Sequence, residues 1–157
     1  MKPKVYVETS VISYLTSRPS RDLIVVANQQ ITHDWWQIRR PKFNLYISQP
    51  VVQEASAGDE NAVRRRLQVI DDIPLLELDE SALALAETLV KDGPMPQEAV
   101  ADALHVAVAT VNGMDYLLTG NFKHIANATI RYKIERVCRS QGYEPPVICT
   151  PQELLEE

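Results

Sequence analysis

The sequence predicts an α/β domain built around a central, mainly parallel sheet of five strands. Short apolar runs bounded by turn residues alternate along the chain with longer stretches of helical periodicity. The clearest runs, KVYV, YLLT and VICT, are continuously apolar, which is typical of parallel strands buried on both faces. Strands separated by helices are joined by right-handed crossovers, and such connections produce a parallel sheet.

Length and composition favour a single domain over residues 1–157. An apolar fraction of 45% and a charged fraction of 24% are those of an ordinary globular protein. Cys138 and Cys149 are too few for a disulfide framework, so we expect both to be reduced. We expect no signal peptide, because the N-terminus turns polar early, and no membrane span, because no apolar run approaches ~18 residues. The expected location is therefore cytoplasmic.

The formal net charge of −5 argues against nonspecific nucleic-acid binding through net charge alone. Three groups of basic residues are nevertheless present, and each is either a solvated helix face or part of a local basic surface. They are Arg39, Arg40 and Lys42; Arg64, Arg65 and Arg66; and Arg131, Lys133, Arg136 and Arg139.

The first half of the chain is predicted to contain two strands and four helices, each delimited by a turn or a capping residue. In order, these are a strand over 4–7, a helix from about Val11, a helix from Ser20 to Trp35, a strand over 45–48, a helix opened by Pro50, and a helix capped by Asp59.

The second half is predicted to contain three strands and five helices. In order, these are a strand over 73–78, a helix capped by Asp79 or Ser81, an alanine-rich helix over 97–111, a strand over 116–119, a short helix and a longer one to about Gln141, a strand over 147–150, and a terminal helix from Pro151.

Polar residues stand close to the ends of these apolar strands. Glu8 directly follows the first strand, Glu54 lies six residues after the second, and Asn121 follows the fourth. Asp102 lies within the alanine-rich helix, where an unpaired carboxylate is poorly solvated. Ligands of open parallel sheets collect beyond the carboxyl ends of the strands, near the switch point in strand order. We therefore expect the four side chains to meet at one edge of the sheet.

The three acidic residues also have purely structural interpretations. Glu8 is then a helix-start carboxylate favoured by the helix dipole. Glu54 is part of a solvated helix face, and Asp102 is a capping or edge carboxylate.

Carboxylates gathered in one place repel one another unless a hard cation neutralises them. Mg²⁺ and Mn²⁺ suit oxygen ligands, retain several waters and can activate one of them. We therefore expect a Mg²⁺ or Mn²⁺ site formed by Glu8, Glu54 and Asp102. Metal-assisted hydrolysis of a phosphodiester is the chemistry that such a site favours.

Four segments of the sequence are VYVETSVISYL, VVQEA, ADALHVAVA and DYLLTGNFKHI. Together they resemble the motifs of PIN domains, especially the VapC-like toxins of bacterial toxin–antitoxin pairs, in order and spacing over nearly the whole chain. The resemblance implies a three-layer α/β/α sandwich with a central parallel sheet, dependence on magnesium or manganese, and endoribonuclease activity on RNA. It also implies a homodimer and a cognate antitoxin protein that inhibits it.

The resemblance places four residues at the family's catalytic positions: Glu8, Glu54, Asp102 and Asn121. Two of them depart from the family pattern. Glu8 stands where aspartate is usual, and its extra methylene shifts the carboxylate by about a bond length unless the backbone compensates, which matters for the strict geometry of Mg²⁺. Asn121 is neutral where aspartate is common, which favours one metal over two and a role in orienting water or phosphate. The alternative function is a catalytically degenerate PIN domain that binds RNA or a partner protein without cleavage.

Six further residues are candidates for contact with substrate or with the metal-binding residues: Thr9, Ser10, Glu98, Thr119, Lys123 and His124. Thr9 matches the polar residue that follows the first acid of the family, and Ser10 matches less firmly. Glu98, one helical turn before Asp102, and the pair after Asn121 have surface positions as their alternative. His105 is expected to be a satisfied, partly buried histidine rather than a residue of the site.

Overall fold

Backbone hydrogen bonds join the predicted strands into one parallel sheet. The computed structural model describes residues 1–155. Its strands are β1 (Lys4–Val7), β2 (Asn44–Ser48), β3 (Leu75–Leu76), β4 (Tyr116–Leu118) and β5 (Val147–Cys149). They lie in the order β3-β2-β1-β4-β5, and every neighbouring pair is parallel. The prediction of a five-stranded parallel sheet is confirmed.

Seven α-helices lie among the described residues, and they form two groups. They are α1 (Thr9–Thr16), α2 (Leu23–Asp34), α3 (Gln49–Ala55), α4 (Glu60–Ile70), α5 (Glu80–Lys91), α6 (Val100–Val111) and α7 (Ala128–Ser140). Helix α1 packs on α2, α3 and α4, whereas α5 packs on α6 and α7. Right-handed crossovers from β1 towards β3 place the first group on one face of the sheet, and the returning connections place the second group on the other. The predicted three-layer α/β/α sandwich is confirmed.

Strand order reverses between β1 and β4, so their carboxyl ends form the switch point of the sheet. The pairing extends one residue beyond each of these strands. The backbone N–H of Glu8 donates to the carbonyl of Leu118 at 3.0 Å, and that of Thr119 donates to the carbonyl of Cys149 at 2.9 Å. Glu8 and Thr119 are therefore held side by side at the switch point.

The apolar core lies on both sides of β1 and β4. Val5, Val7, Leu117 and Leu118 are all completely buried. The buried alanines of α6 allow that helix to lie close to the sheet. Neighbouring polar residues of α6 are thereby carried to the edge where β1 ends.

The N-cap of helix α2 lies two residues later than predicted. The carboxylate of Asp22, rather than Ser20, caps it by accepting the backbone N–H groups of Ile24 and Val25. The hydroxyl of Ser20 instead accepts the N–H of Asp22. The first helix begins at Thr9 rather than near Val11, because Glu8 is its cap.

Other boundaries differ for local reasons. The third strand, predicted over 73–78, has only two paired residues because it lies at the sheet edge and pairs with β2 alone. The helix predicted over 97–111 starts with a 3₁₀ turn, Gln97–Ala99, before α6. The terminal helix predicted from Pro151 is wrong as far as residue 155, where the chain forms turns, and residues 156 and 157 lie outside the described part.

The short helix predicted after Asn121 is also wrong. Residues 122–125 form a turn, closed by the N–H of Ala126 on the carbonyl of Asn121 at 2.8 Å. The side-chain oxygen of Asn121 accepts the N–H groups of Lys123 and His124. Short polar side chains compete in this way with helical hydrogen bonds.

No helix within residues 1–155 has the length and apolar character needed to cross a lipid bilayer.

Replacing Leu117 by alanine tests the placement of the core. The side chain is completely buried on β4, so Leu117→Ala leaves a cavity and should lower the free energy of unfolding by about 2–5 kcal/mol. Urea-induced unfolding followed by circular dichroism measures the change. Leu83 is 49% exposed, so Leu83→Ala should change stability by less than about 1 kcal/mol. Equal losses in the two variants would contradict the described packing.

Candidate active site at the carboxyl edge of the sheet

Glu8 joins strand β1 to helix α1 and is only 4% exposed. Its Oε2 accepts the backbone N–H of Ser10 at 3.0 Å, so the carboxylate caps its own helix. Its Oε1 accepts the hydroxyls of Ser10 at 2.5 Å and Thr119 at 2.6 Å. The carboxylate is thus both the helix-start group of the structural interpretation and a fixed acceptor at the switch point.

Glu54 approaches from helix α3, and its side chain is 36% exposed. Its Oε1 accepts the hydroxyl of Thr9 at 2.5 Å and hydrogen-bonds Nε2 of His105 at 2.6 Å. Its Oε2 has no hydrogen bond to any of the described residues. One oxygen of this carboxylate is therefore fully engaged and the other is available.

His105 lies at the centre of these groups and is completely buried. Its Nδ1 hydrogen-bonds the hydroxyl of Tyr6 at 2.7 Å, and that hydroxyl hydrogen-bonds Oγ of Ser48 at 2.6 Å. One ligand atom each from Glu8, Glu54 and His105 lies within 4.8 Å of the other two. The histidine is satisfied, as expected, but it is more deeply buried than predicted and belongs to the site.

Asp102 lies three residues before His105 on α6 and is held by two groups from the turn after β4. Its Oδ1 accepts the side-chain amide of Asn121 at 3.0 Å, and its Oδ2 pairs with Nδ1 of His124 at 3.0 Å. The backbone N–H of Asn121 donates to the hydroxyl of Thr119 at 2.9 Å. Asp102 is therefore linked through this turn to the residue that also bonds Glu8.

Charge around His105 reverses the effect of its burial. Burial lowers the pKa of this imidazole, but its hydrogen bond to Glu54 and the charges of the carboxylates raise it, and the balance lies above the ordinary 6.5. Those carboxylates are Glu8, Glu54 and Asp102. Burial raises the pKa of Glu54, yet the bonds and charge of His105, with Thr9, bring it below the ordinary 4.5. The directions of both shifts favour the charged pair of imidazolium and carboxylate.

The six secondary candidates occupy different surroundings. Thr9, Ser10 and Thr119 contact the carboxylates directly, and His124 pairs with Asp102. The side chain of Lys123 is exposed on the turn. Glu98 is exposed in the 3₁₀ turn before α6, and no hydrogen bond among residues 1–155 joins it to the site.

Tyr6 and Ser48 are site residues that the sequence reasoning missed. Tyr6 is the single aromatic residue in the apolar run KVYV, and Ser48 is the hydroxyl residue that ends β2. Both are completely buried. Polar groups at the ends of otherwise apolar strands were the available signal, because a buried hydroxyl needs a partner.

The donor set fits a hard divalent cation. Glu8 and Glu54 would hold Mg²⁺ or Mn²⁺, since both present carboxylate oxygens and one oxygen of Glu54 is unengaged. His105 does not fit as a ligand in this arrangement. Its Nε2 is 2.6 Å from Oε1 of Glu54, shorter than the roughly 3 Å between adjacent ligands of an octahedral Mg²⁺ site.

Comparison with known proteins agrees with the fold. The family model described as the PIN domain matches residues 5–128. This chain belongs to the PIN domain family. No match to this PIN domain was found among curated proteins.

A solved structure shares the architecture of this PIN domain. It is a chain of the crystal structure of VapBC2 from Rickettsia felis bound to a DNA fragment from their promoter. The TM-score is 0.56 at 10% sequence identity, over 94% of this chain and 98% of that chain. At this identity the likeness shows a shared fold.

The raised pKa of His105 gives a testable pH dependence in the metal-free PIN domain. Because the folded-state pKa lies above the unfolded value, protonation of His105 stabilises the fold fully below the unfolded pKa, and this contribution is lost as pH rises through the folded pKa. NMR titration of the labelled imidazole should give a midpoint above 6.5, and Glu54→Gln should lower it. A midpoint below 6.5, or one unmoved by the substitution, would contradict the pairing.

Proposed function

We propose that this PIN domain is a divalent-metal-dependent endoribonuclease that hydrolyses RNA phosphodiester bonds and is the toxin of a toxin–antitoxin pair. The observation that carries the proposal is the approach of the Glu8 and Glu54 carboxylates to each other and to His105 at the switch point. Membership of the PIN family supports nuclease chemistry. The shared fold with a chain of the VapBC2 complex supports a cognate antitoxin as partner.

Different residues of the site would bind the cation and the phosphodiester. Glu8 and Glu54 would hold Mg²⁺ or Mn²⁺, which when bound supplies charge neutralisation at the phosphate and an activated water. Asp102 keeps an open lone pair on each oxygen after its bonds to Asn121 and His124, so it can still accept from water. Lys123, exposed on the adjoining turn, is a candidate contact for substrate phosphate.

Exposed apolar residues at the start of helix α2 support a protein partner. Leu23 and Ile24 open helix α2 with 83% and 75% exposure, and Ile38 is 66% exposed. Exposed apolar groups of this kind mark association surfaces when they are contiguous. A cytoplasmic location and a homodimer, with the antitoxin as the inhibitory partner, belong to the same proposal.

Cleavage of RNA by purified protein free of antitoxin tests the enzyme directly. We expect cleavage of a structured RNA with Mg²⁺ or Mn²⁺, and a loss of about 100-fold or more in Asp102→Ala, since the third carboxylate of the site is removed. Gel analysis of end-labelled RNA measures the rate. Glu87→Gln, on the exposed side of α5, is the matched control and should retain activity. Absence of cleavage by the native chain with either metal would refute the proposal.

The second candidate is a degenerate PIN domain that binds RNA or a partner protein without cleavage. Specific observations favour it: both oxygens of Glu8 and both of Asp102 already accept bonds from the protein. The neutral Asn121 also supplies a donor to Asp102 where a further carboxylate would supply a ligand. Hydrogen bonds from the protein would then stabilise these carboxylates without a cation.

A double variant separates the two candidates. If the chain is degenerate, Glu8→Asp combined with Asn121→Asp should create metal-dependent cleavage that the native chain lacks, because a shorter acid and a fourth carboxylate favour cation binding. The same end-labelled RNA measures the gain, and a gel-shift assay measures RNA binding by both proteins. Cleavage by the native chain, or no gain in the double variant, argues against the degenerate candidate.

A further inference from the structure

We propose that His105 is a positioning residue that fixes the rotation of the Glu54 carboxylate and leaves Oε2 as the oxygen available to the site. The inference deepens the proposed nuclease function, on which it rests. It assigns His105 a role that is neither metal ligation nor contact with substrate.

Two hydrogen bonds to the same oxygen define the orientation of Glu54. Thr9 on α1 and His105 on α6 both bond Oε1, at 2.5 Å and 2.6 Å. These donors come from opposite layers of the sandwich. The terminal torsion of a glutamate is broad, so the plane of a 36% exposed carboxylate would otherwise sample a wide range of rotations. With Oε1 held from both sides, Oε2 alone remains without a partner among the described residues.

His105 can act as a fixed donor because a hydrogen bond to the sheet holds its ring in place. Its Nδ1 hydrogen-bonds Tyr6 on β1, and Tyr6 hydrogen-bonds Ser48 at the end of β2. All three residues are completely buried, and the His105 ring tilts against the Tyr6 ring with centroids 5.8 Å apart. The sheet therefore determines the direction of Nε2, and Nε2 determines the orientation of Glu54. Groups outside the ligand set orient ligands of metal sites in this way.

Affinity for Mn²⁺, measured by calorimetry, distinguishes positioning from a general structural role. His105→Gln keeps an N–H donor near the place of Nε2, whereas His105→Leu fills the space without a donor. We expect about tenfold or greater weakening in His105→Leu and a value within about threefold of native in His105→Gln. Glu54→Gln, alone and combined with His105→Leu, completes the cycle. If His105 acts through Glu54, the second substitution adds no further loss. Additive losses, or equal affinities in native and His105→Leu, would overturn the proposal.

Crystal structures of the metal-free variants give a readout that needs no cation. The Glu54 carboxylate should keep its native orientation in His105→Gln and rotate in His105→Leu. An unrotated carboxylate in His105→Leu would overturn the proposal whatever the metal affinity. If the native chain binds no Mn²⁺ but the carboxylate rotates as expected, the nuclease function fails and the positioning role stands. If His105→Leu does not fold, Tyr6→Phe replaces it, and an unchanged Glu54 orientation there overturns the proposal.

Discussion

Repulsion among three carboxylates at one edge of the sheet is the constraint around which this site is built. The fold offsets it with hydrogen-bond donors and one buried imidazole whose pKa is raised. Hydroxyls and a backbone N–H surround Glu8, an amide and an imidazole hold Asp102, and His105 pairs with Glu54. All three carboxylates raise the pKa of His105, so they favour a positive charge on the ring where the negative charges converge.

The topology of the sheet is what brings these groups together. Reversal of strand order puts the carboxyl ends of β1 and β4 next to each other, so Glu8 and Thr119 share one edge. Glu54 reaches that edge from the layer of α1 to α4, and His105 reaches it from the layer of α5 to α7. The carboxylate–imidazole pair thus ties the two helical layers across the end of β1. The same contacts that assemble the site also join the halves of the fold.

The sequence predicted those features of the fold and site that arise from local or periodic patterns of residues. Continuous apolar runs identified the strands, and the positions just beyond them identified Glu8 and Asn121 as neighbours of one edge. It failed where side chains compete for backbone groups: Asn121 takes the N–H groups that a helix after it needs, and Asp22 takes the cap that Ser20 was expected to form. The surroundings of His105 were also beyond reach, since its partners Glu54 and Tyr6 are 51 and 99 residues away in the chain. Only the packed topology brings them into contact.

The carboxylate of Glu8, directly after β1, makes two kinds of contact. Glu8 terminates helix α1 through the N–H of Ser10 and also lies at the switch point beside Thr119. Loss of an N-cap group costs about 1 kcal/mol of stability, independently of any chemistry. Natural selection for folding alone would therefore preserve a hydrogen-bond acceptor at this position, even in descendants that no longer turn over a substrate. Glu54 caps no helix of the described chain, but its bonds to Thr9 and His105 join the helical layers, so its retention among relatives would likewise serve folding as well as catalysis.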